Sequence, residues 1–161
     1  MPENPFRVAL IEEVALIRAA VACLLGTWPE LELVAALSSR EEGLILARTL
    51  APSLLLVSVR ATGAGMAEFI TSYKNASPPT LVIGLGERED SRTAAEAIRC
   101  GCHGYASRDQ DEGKLRHVLS EVGAGRYAVT PGVDVPSAFL RASQPLSPLD
   151  ALSSRERQVF S

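Results

Sequence analysis

The chain has 161 residues, 47% of them hydrophobic and 22% charged, with a formal net charge of -3. That length buries one core and leaves room for an appendage, and the acidic balance argues against a nucleic-acid-binding surface on the main domain. The longest apolar stretch, around 14–25, contains Arg18 and is too short to span a bilayer, so no membrane partner is expected. No apolar run follows a basic segment as in a secretory signal. Three cysteines without an export signal indicate a reducing cytoplasm.

Strand and helix patterns alternate from the start. Residues 7–11 are a short aliphatic strand with Glu12 and Glu13 at its carboxyl end. The stretch 14–25 reads as a helix stopped by Gly26 and the Trp28-Pro29 turn. Leu31–Leu37 is a second strand. Ser38 and Ser39, each with a glutamate three residues on, offer two overlapping capping boxes for a helix that ends near Pro52. Residues 53–59 contain the run S-L-L-L-V-S, near-continuously aliphatic as in a central parallel strand covered on both faces. Ligand sites in open α/β sheets gather at the carboxyl ends of such strands, which places Ser58 where function belongs.

After a loop over 60–65, Met66, Phe69, Ile70 and Tyr73 recur at helical spacing as a core stripe, broken by Pro78-Pro79. A fourth strand covers 80–85, an alanine-rich helix covers 90–100, and Gly104–Ser107 is a fifth strand. The last helix of the domain carries Leu115, Val118, Leu119 and Val122 on one face. The sum is an α/β fold of the (βα)5 type, a parallel five-stranded sheet with helices on both faces and right-handed crossovers. The domain ends near residue 130. Residues 131–148 read as a linker that admits a short helix, and 149–161 begin a second domain.

The element order and the strand-end residues resemble a response-regulator receiver domain of the NarL-like class, a flavodoxin-like fold also described as CheY-like. The resemblance covers roughly residues 6–130. It rests on the acidic pair Glu12-Glu13, on the aliphatic strand ending at Ser58, and on Arg99-Cys-Gly101-Cys-His-Gly-Tyr105 at the turn into the fifth strand. Gly125-Arg-Tyr127 with Thr130-Pro131 adds to it. The tail Leu152-Ser-Ser-Arg-Glu-Arg-Gln-Val-Phe160 is similar to the opening of a LuxR-type helix-turn-helix domain, with Ser153 and Glu156 as a capping box.

The resemblance implies a phosphotransfer site of acidic residues holding Mg²⁺, an acceptor aspartate, a hydroxyl residue and a lysine. Those positions hold Glu12 and Glu13, Ser58, Gly86 and Arg108 here. A serine hydroxyl is a weak nucleophile without an activating base, and a hard cation wants more oxygen ligands than two carboxylates supply. The expectation is a degenerate phospho-acceptor pocket: no catalytic residue, no metal site, no cofactor and no Mg²⁺. Glu12 and Glu13 are expected to be a solvated pair, and Ser58 a small polar residue closing a strand. Gly63-Ala-Gly65 and Gly84-Leu-Gly86 read as turn chemistry, since neither fits a dinucleotide fingerprint. Cys100-Gly-Cys102-His103 lacks the second ligand pair of a zinc site.

The functional expectation is a DNA-binding transcription regulator whose receiver-like domain dimerises and regulates without aspartyl phosphorylation. DNA contact belongs to the C-terminal domain, absent from this chain apart from its opening. A homodimer seam is expected on the first helix, at Val14, Arg18, Ala19 and Ala22, with Lys114, His117 and Glu121 at its rim. The alternatives are a stand-alone module that binds a small molecule or a protein effector in the degenerate pocket, and a flavodoxin-like enzyme. The strand ends offer no nucleophile–base pair for the latter.

Overall fold

The computed structural model describes residues 5–59, 65–88 and 90–130. Along the chain run β1 (Phe6–Ile11), α1 (Ala15–Gly26), β2 (Leu31–Leu37), α2 (Arg40–Leu50), β3 (Leu54–Ser58) and α3 (Met66–Ala76), then β4 (Leu81–Gly86), α4 (Ser91–Arg99), β5 (Gly104–Ser107), α5 (Glu112–Gly123) and β6 (Ala128–Val129). The sheet order is β2-β1-β3-β4-β5-β6, and every pairing is parallel.

The aliphatic run of β3 does what a doubly covered strand requires. Successive side chains point to opposite faces, so Leu54 and Leu56 join one core with Val21 and Leu25 of α1 and Val118 and Leu119 of α5. Leu55 and Val57 join the other with Ala47 of α2, Phe69 and Ile70 of α3 and Ala94 and Ala97 of α4. All five β3 residues are buried. The stripe on α3 is core as expected, with Met66, Phe69, Ile70 and Tyr73 buried.

Three helices, α2, α4 and α5, start at a side-chain cap. Ser39 Oγ accepts the Glu42 amide at 3.2 Å, Asp90 Oδ1 that of Arg92 at 3.0 Å, and Asp111 Oδ1 that of Lys114 at 3.0 Å. The expected five-stranded sheet has a sixth strand. Ala128 N donates to His103 O and Thr130 N to Tyr105 O, so the free edge of β5 is paired. Its two residues are too short to show strand periodicity. The expected linker and the start of the helix-turn-helix domain, with Arg155 and Arg157, lie outside the described residues, as does Gly63. Among the described residues, no helix is long and apolar enough to cross a membrane.

Candidate functional site

Strand order reverses at β1, which has β2 on one side and β3 on the other. At such a switch point the helices leave on opposite faces and open a crevice at the strands' carboxyl ends. The register pairs Ile11 with Val57, so Glu12 and Ser58 stand one residue further along neighbouring strands. Ser58 pairs in turn with Leu85 and Gly86 with Ser107. Arg108 N donates to Gly86 O at 3.0 Å. Glu12, Ser58, Gly86 and Arg108 thus meet at one end of the sheet.

The acidic pair is split. Glu13 is exposed, but Glu12 is fully buried, which corrects the expectation of two solvated carboxylates. A buried carboxylate must be paired and hydrogen-bonded, and Glu12 is both. Its Oε1 accepts from Arg108 Nη1 at 3.0 Å and its Oε2 from the Val14 amide at 3.1 Å, so it also serves the opening of α1, which has no side-chain cap at Val14. The Glu12 carbonyl accepts from Arg18 Nη1 at 2.9 Å. The other arm of Arg108 reaches Glu87 at 3.3 Å. Spacing along the chain gives no sign of a Glu12–Arg108–Glu87 bridge.

Ser58 is buried with 4% of its surface exposed. His103, a half-buried imidazole, lies before β5 at the opposite end of the sheet from Ser58. Burial and the charge of Lys74 push its pKa down to about 4. Cys102 is buried in the core, and burial lifts its thiol to about 12. Among the described residues, no group of three or more His, Cys, Asp or Glu is placed to hold a metal ion.

Gly84 and Gly86 are not in a turn. Both lie inside β4, and the missing side chain at 86 gives room to Tyr105, which the sequence marks only as the end of the turn into β5. The Tyr105 ring is fully buried and its hydroxyl donates to Arg88 O at 2.7 Å. Burial, with the charges of Asp90, Asp109 and Glu87, raises its phenol to about 12. Beside it opens a cavity of ≈ 150 Å³ bordered by Gly86, Glu87, Arg88, Thr93 and Tyr105. A second groove of ≈ 260 Å³ continues past Thr93 to Met66, Glu96 and Cys100.

The residues expected at a dimer seam divide. Ala19 is exposed, whereas Val14, Arg18 and Ala22 are half-buried, and Ala22 packs against the core. The outward face of α1 is formed by Ala15, Leu16, Ala19, Ala20 and Cys23, all exposed. At the expected rim, His117 is exposed and Lys114 and Glu121 are half-buried.

No protein-family model matches the chain. It is 27% identical over 155 residues to the response regulator GacA of Pseudomonas protegens, covering 95% of this chain and 72% of that protein. It is 24% identical over 161 residues to the nitrate/nitrite response regulator NarL of Escherichia coli, covering 98% and 74%. A glutamate methylesterase of Cereibacter sphaeroides matches over 62% of this chain but only 27% of its own length. Among solved structures, a LuxR-family two-component response regulator from Aurantimonas superposes with a TM-score of 0.72 at 21% identity, covering 81% of this chain and 93% of that one. The likeness therefore holds at the level of sequence similarity and fold: the chain is similar to response regulators of the NarL/LuxR type and has the fold of their receiver domain.

Proposed function

We propose that the protein is a transcription regulator whose receiver domain is a dimerisation and control module that works without aspartyl phosphorylation, DNA being bound through a C-terminal LuxR-type domain. The observation that carries this reading is the 3.0 Å pair between Arg108 and the buried Glu12 beside Ser58. Phosphoryl transfer depends on positioning and on neutralising charge with metal and cationic groups. Here both oxygens of Glu12 are spent on internal partners, and the strand beside it ends in a hydroxyl. A divalent ion brought to Glu12 meets the Arg108 guanidinium, a like charge, and keeps Glu13 as its exposed carboxylate. This donor set does not fit the Mg²⁺ that the fold family uses.

The sequence likeness to GacA and NarL, response regulators both, supports the regulatory part of the reading. The uncharged outer face of α1, with Leu16 81% exposed, supports a symmetric homodimer that covers it. Treatment with acetyl phosphate and Mg²⁺ tests the central point. The intact mass should stay unchanged, and beryllofluoride should leave the oligomeric state where it was. A labile phosphate on the wild-type protein, lost in the Glu12→Gln/Glu13→Gln variant, would overturn the reading.

A second reading, control by a small molecule or a protein effector, is favoured by the cavity beside Gly86 and Tyr105. Fragments that bind the wild type in a ligand-observed NMR screen should be lost when Thr93→Phe fills the opening. Binding that survives this substitution places the effector elsewhere.

A further inference from the structure

The cavity beside Gly86 and the groove beyond it share Val59 and Thr93, and the charges on their borders are unequally engaged. Each bordering carboxylate among the described residues already has partners. Glu87 holds Arg108 at 3.3 Å. Asp90 accepts from the Arg92 amide at 3.0 Å and from the Thr93 hydroxyl at 2.7 Å. Glu96 pairs with Arg99 at 3.0 Å through Oε2 and turns Oε1 to the Cys100 thiol at 4.0 Å. Arg88 and Arg92 border the same openings and are exposed. Among the described residues, neither guanidinium makes a hydrogen bond or an ion pair. The floor of the groove is apolar: Met66 and Ala97 are buried, and Val59 and Cys100 half-buried. Burial, with the charges of Glu96 and Glu68, raises the Cys100 thiol, so it stays neutral. Arg92, Glu96 and Cys100 recur at every fourth residue and so stand in line along the groove.

We propose that the groove between α3 and α4 binds an organic carboxylate with an aliphatic body, its head on Arg92 and Arg88 and its chain along Val59, Met66, Ala97 and Cys100. The site rests on the second reading, control by a small molecule, and gives that molecule a chemical class. A carboxylate at Arg92 displaces no internal partner. A cationic ligand has to draw Glu96 from Arg99, Glu87 from Arg108, or Asp90 from the start of α4. The planar fork of arginine also takes a carboxylate through two parallel N–H bonds. An exposed ion pair contributes little by itself, so the apolar floor supplies most of the binding and the arginines choose the sign of the head group. At ≈ 260 Å³, the groove lies below the usual range for drug-sized ligands and suits a single short chain.

Titration of the full chain with octanoate, followed by amide chemical shifts, tests it. Octanoate should shift the amides of residues 66–69 and 92–100 and saturate. Octylammonium, of equal chain length and opposite charge, should bind more weakly, although the net charge of -3 favours a cation. Butyrate should bind more weakly by at least about tenfold, because it leaves most of the floor uncovered. Arg92→Ala should weaken octanoate by about fivefold, Arg92→Lys should restore part of the loss, and Arg92→Glu should abolish binding. Arg92 is exposed, so these variants keep the fold. Octylammonium bound as tightly as octanoate, octanoate binding that survives Arg92→Glu, or shifts centred on the outer face of α1 overturns the site. Fragments that bind beside Gly86 while octanoate binds nowhere overturn the carboxylate class and leave the second reading standing. Failure of every fragment, whatever its charge, overturns both.

Discussion

The guanidinium of Arg108 lies 3.0 Å from the carboxylate of Glu12, a contact that spans 96 residues of sequence and ties the chain after β5 to the chain after β1. The two ends of the pair sit in different surroundings. Glu12 is sealed, while Arg108 keeps 21% of its side chain exposed and holds a second carboxylate, Glu87, that is 52% exposed. Deleting one partner of a buried pair strands a charge, whereas a solvated pair is worth little.

Arg108→Ala should therefore cost about 3 kcal/mol in urea unfolding, because Glu12 is left buried without its cation. Glu87→Ala should cost no more than about 0.5 kcal/mol, since water replaces it. Arg108→Lys should fall between, as a compact ammonium does not reproduce the planar fork that reaches Glu12 and Glu87 together. Equal losses for Arg108→Ala and Glu87→Ala would show that the Glu12 contact carries no weight.

Ser58→Asp, which puts a carboxylate where the resemblance implies the acceptor, should not create a phosphorylation switch. The new group enters a buried site on the strand beside Glu12, where burial disfavours its charged form. Its folded pKa is then raised above its unfolded value, so the folded state binds the proton more tightly. The stability deficit relative to the wild type should grow as pH rises from about 4 and reach about 1–3 kcal/mol at neutrality. Acetyl phosphate should leave the oligomeric state of this variant unchanged, because Gly86 has no hydroxyl to grip a phosphoryl group. Phosphate-dependent dimerisation of Ser58→Asp would refute this.

The alternation of aliphatic strands and capped helices made the first five strands and all five helices legible, because each uses a period or a cap that local sequence carries. The convergence of Glu12, Ser58, Gly86 and Arg108 was legible only through the family resemblance. The burial of Glu12 was not, since it follows from a partner 96 residues away. Gly86 looked like a turn residue for a related reason. What it makes room for is Tyr105 on the neighbouring strand, and a contact between strands leaves no trace in local spacing. β6 escaped notice because two residues are shorter than any alternation that could announce them.

The outward face of α1 makes a prediction about assembly. Ala19→Glu should give a folded monomer by sedimentation, because Ala19 is exposed on a face without charge and a buried unpaired carboxylate at a two-fold seam is costly. Ala22→Glu should instead destabilise the fold itself, since Ala22 packs against the core. Cys23, exposed on the same helix, should react with maleimide faster in the Ala19→Glu monomer than in the wild type. A dimer that survives Ala19→Glu with Cys23 still shielded would place the seam on another surface.

His103 should give the domain a measurable acid sensitivity. Its Nδ1 lies 3.3 Å from the Val82 amide and its Nε2 lies 3.4 Å from Lys74 Nζ, with the Tyr127 ring 5.5 Å away. Burial first, and the charge of Lys74 second, lower its pKa from 6.5 to about 4. The unfolded chain therefore binds a proton that the folded chain refuses between these values. Stability from this group is complete above the unfolded pKa near 6.5 and is lost as pH falls towards about 4, a change of about 3 kcal/mol. His103→Gln keeps an acceptor for the Val82 amide and has nothing to titrate, so its unfolding free energy should fall less steeply across this window. The carboxylates contribute alike to both proteins and cancel in the difference. Parallel curves for wild type and His103→Gln from pH 6.5 down to 4 would mean that the imidazole is protonated in the folded domain after all.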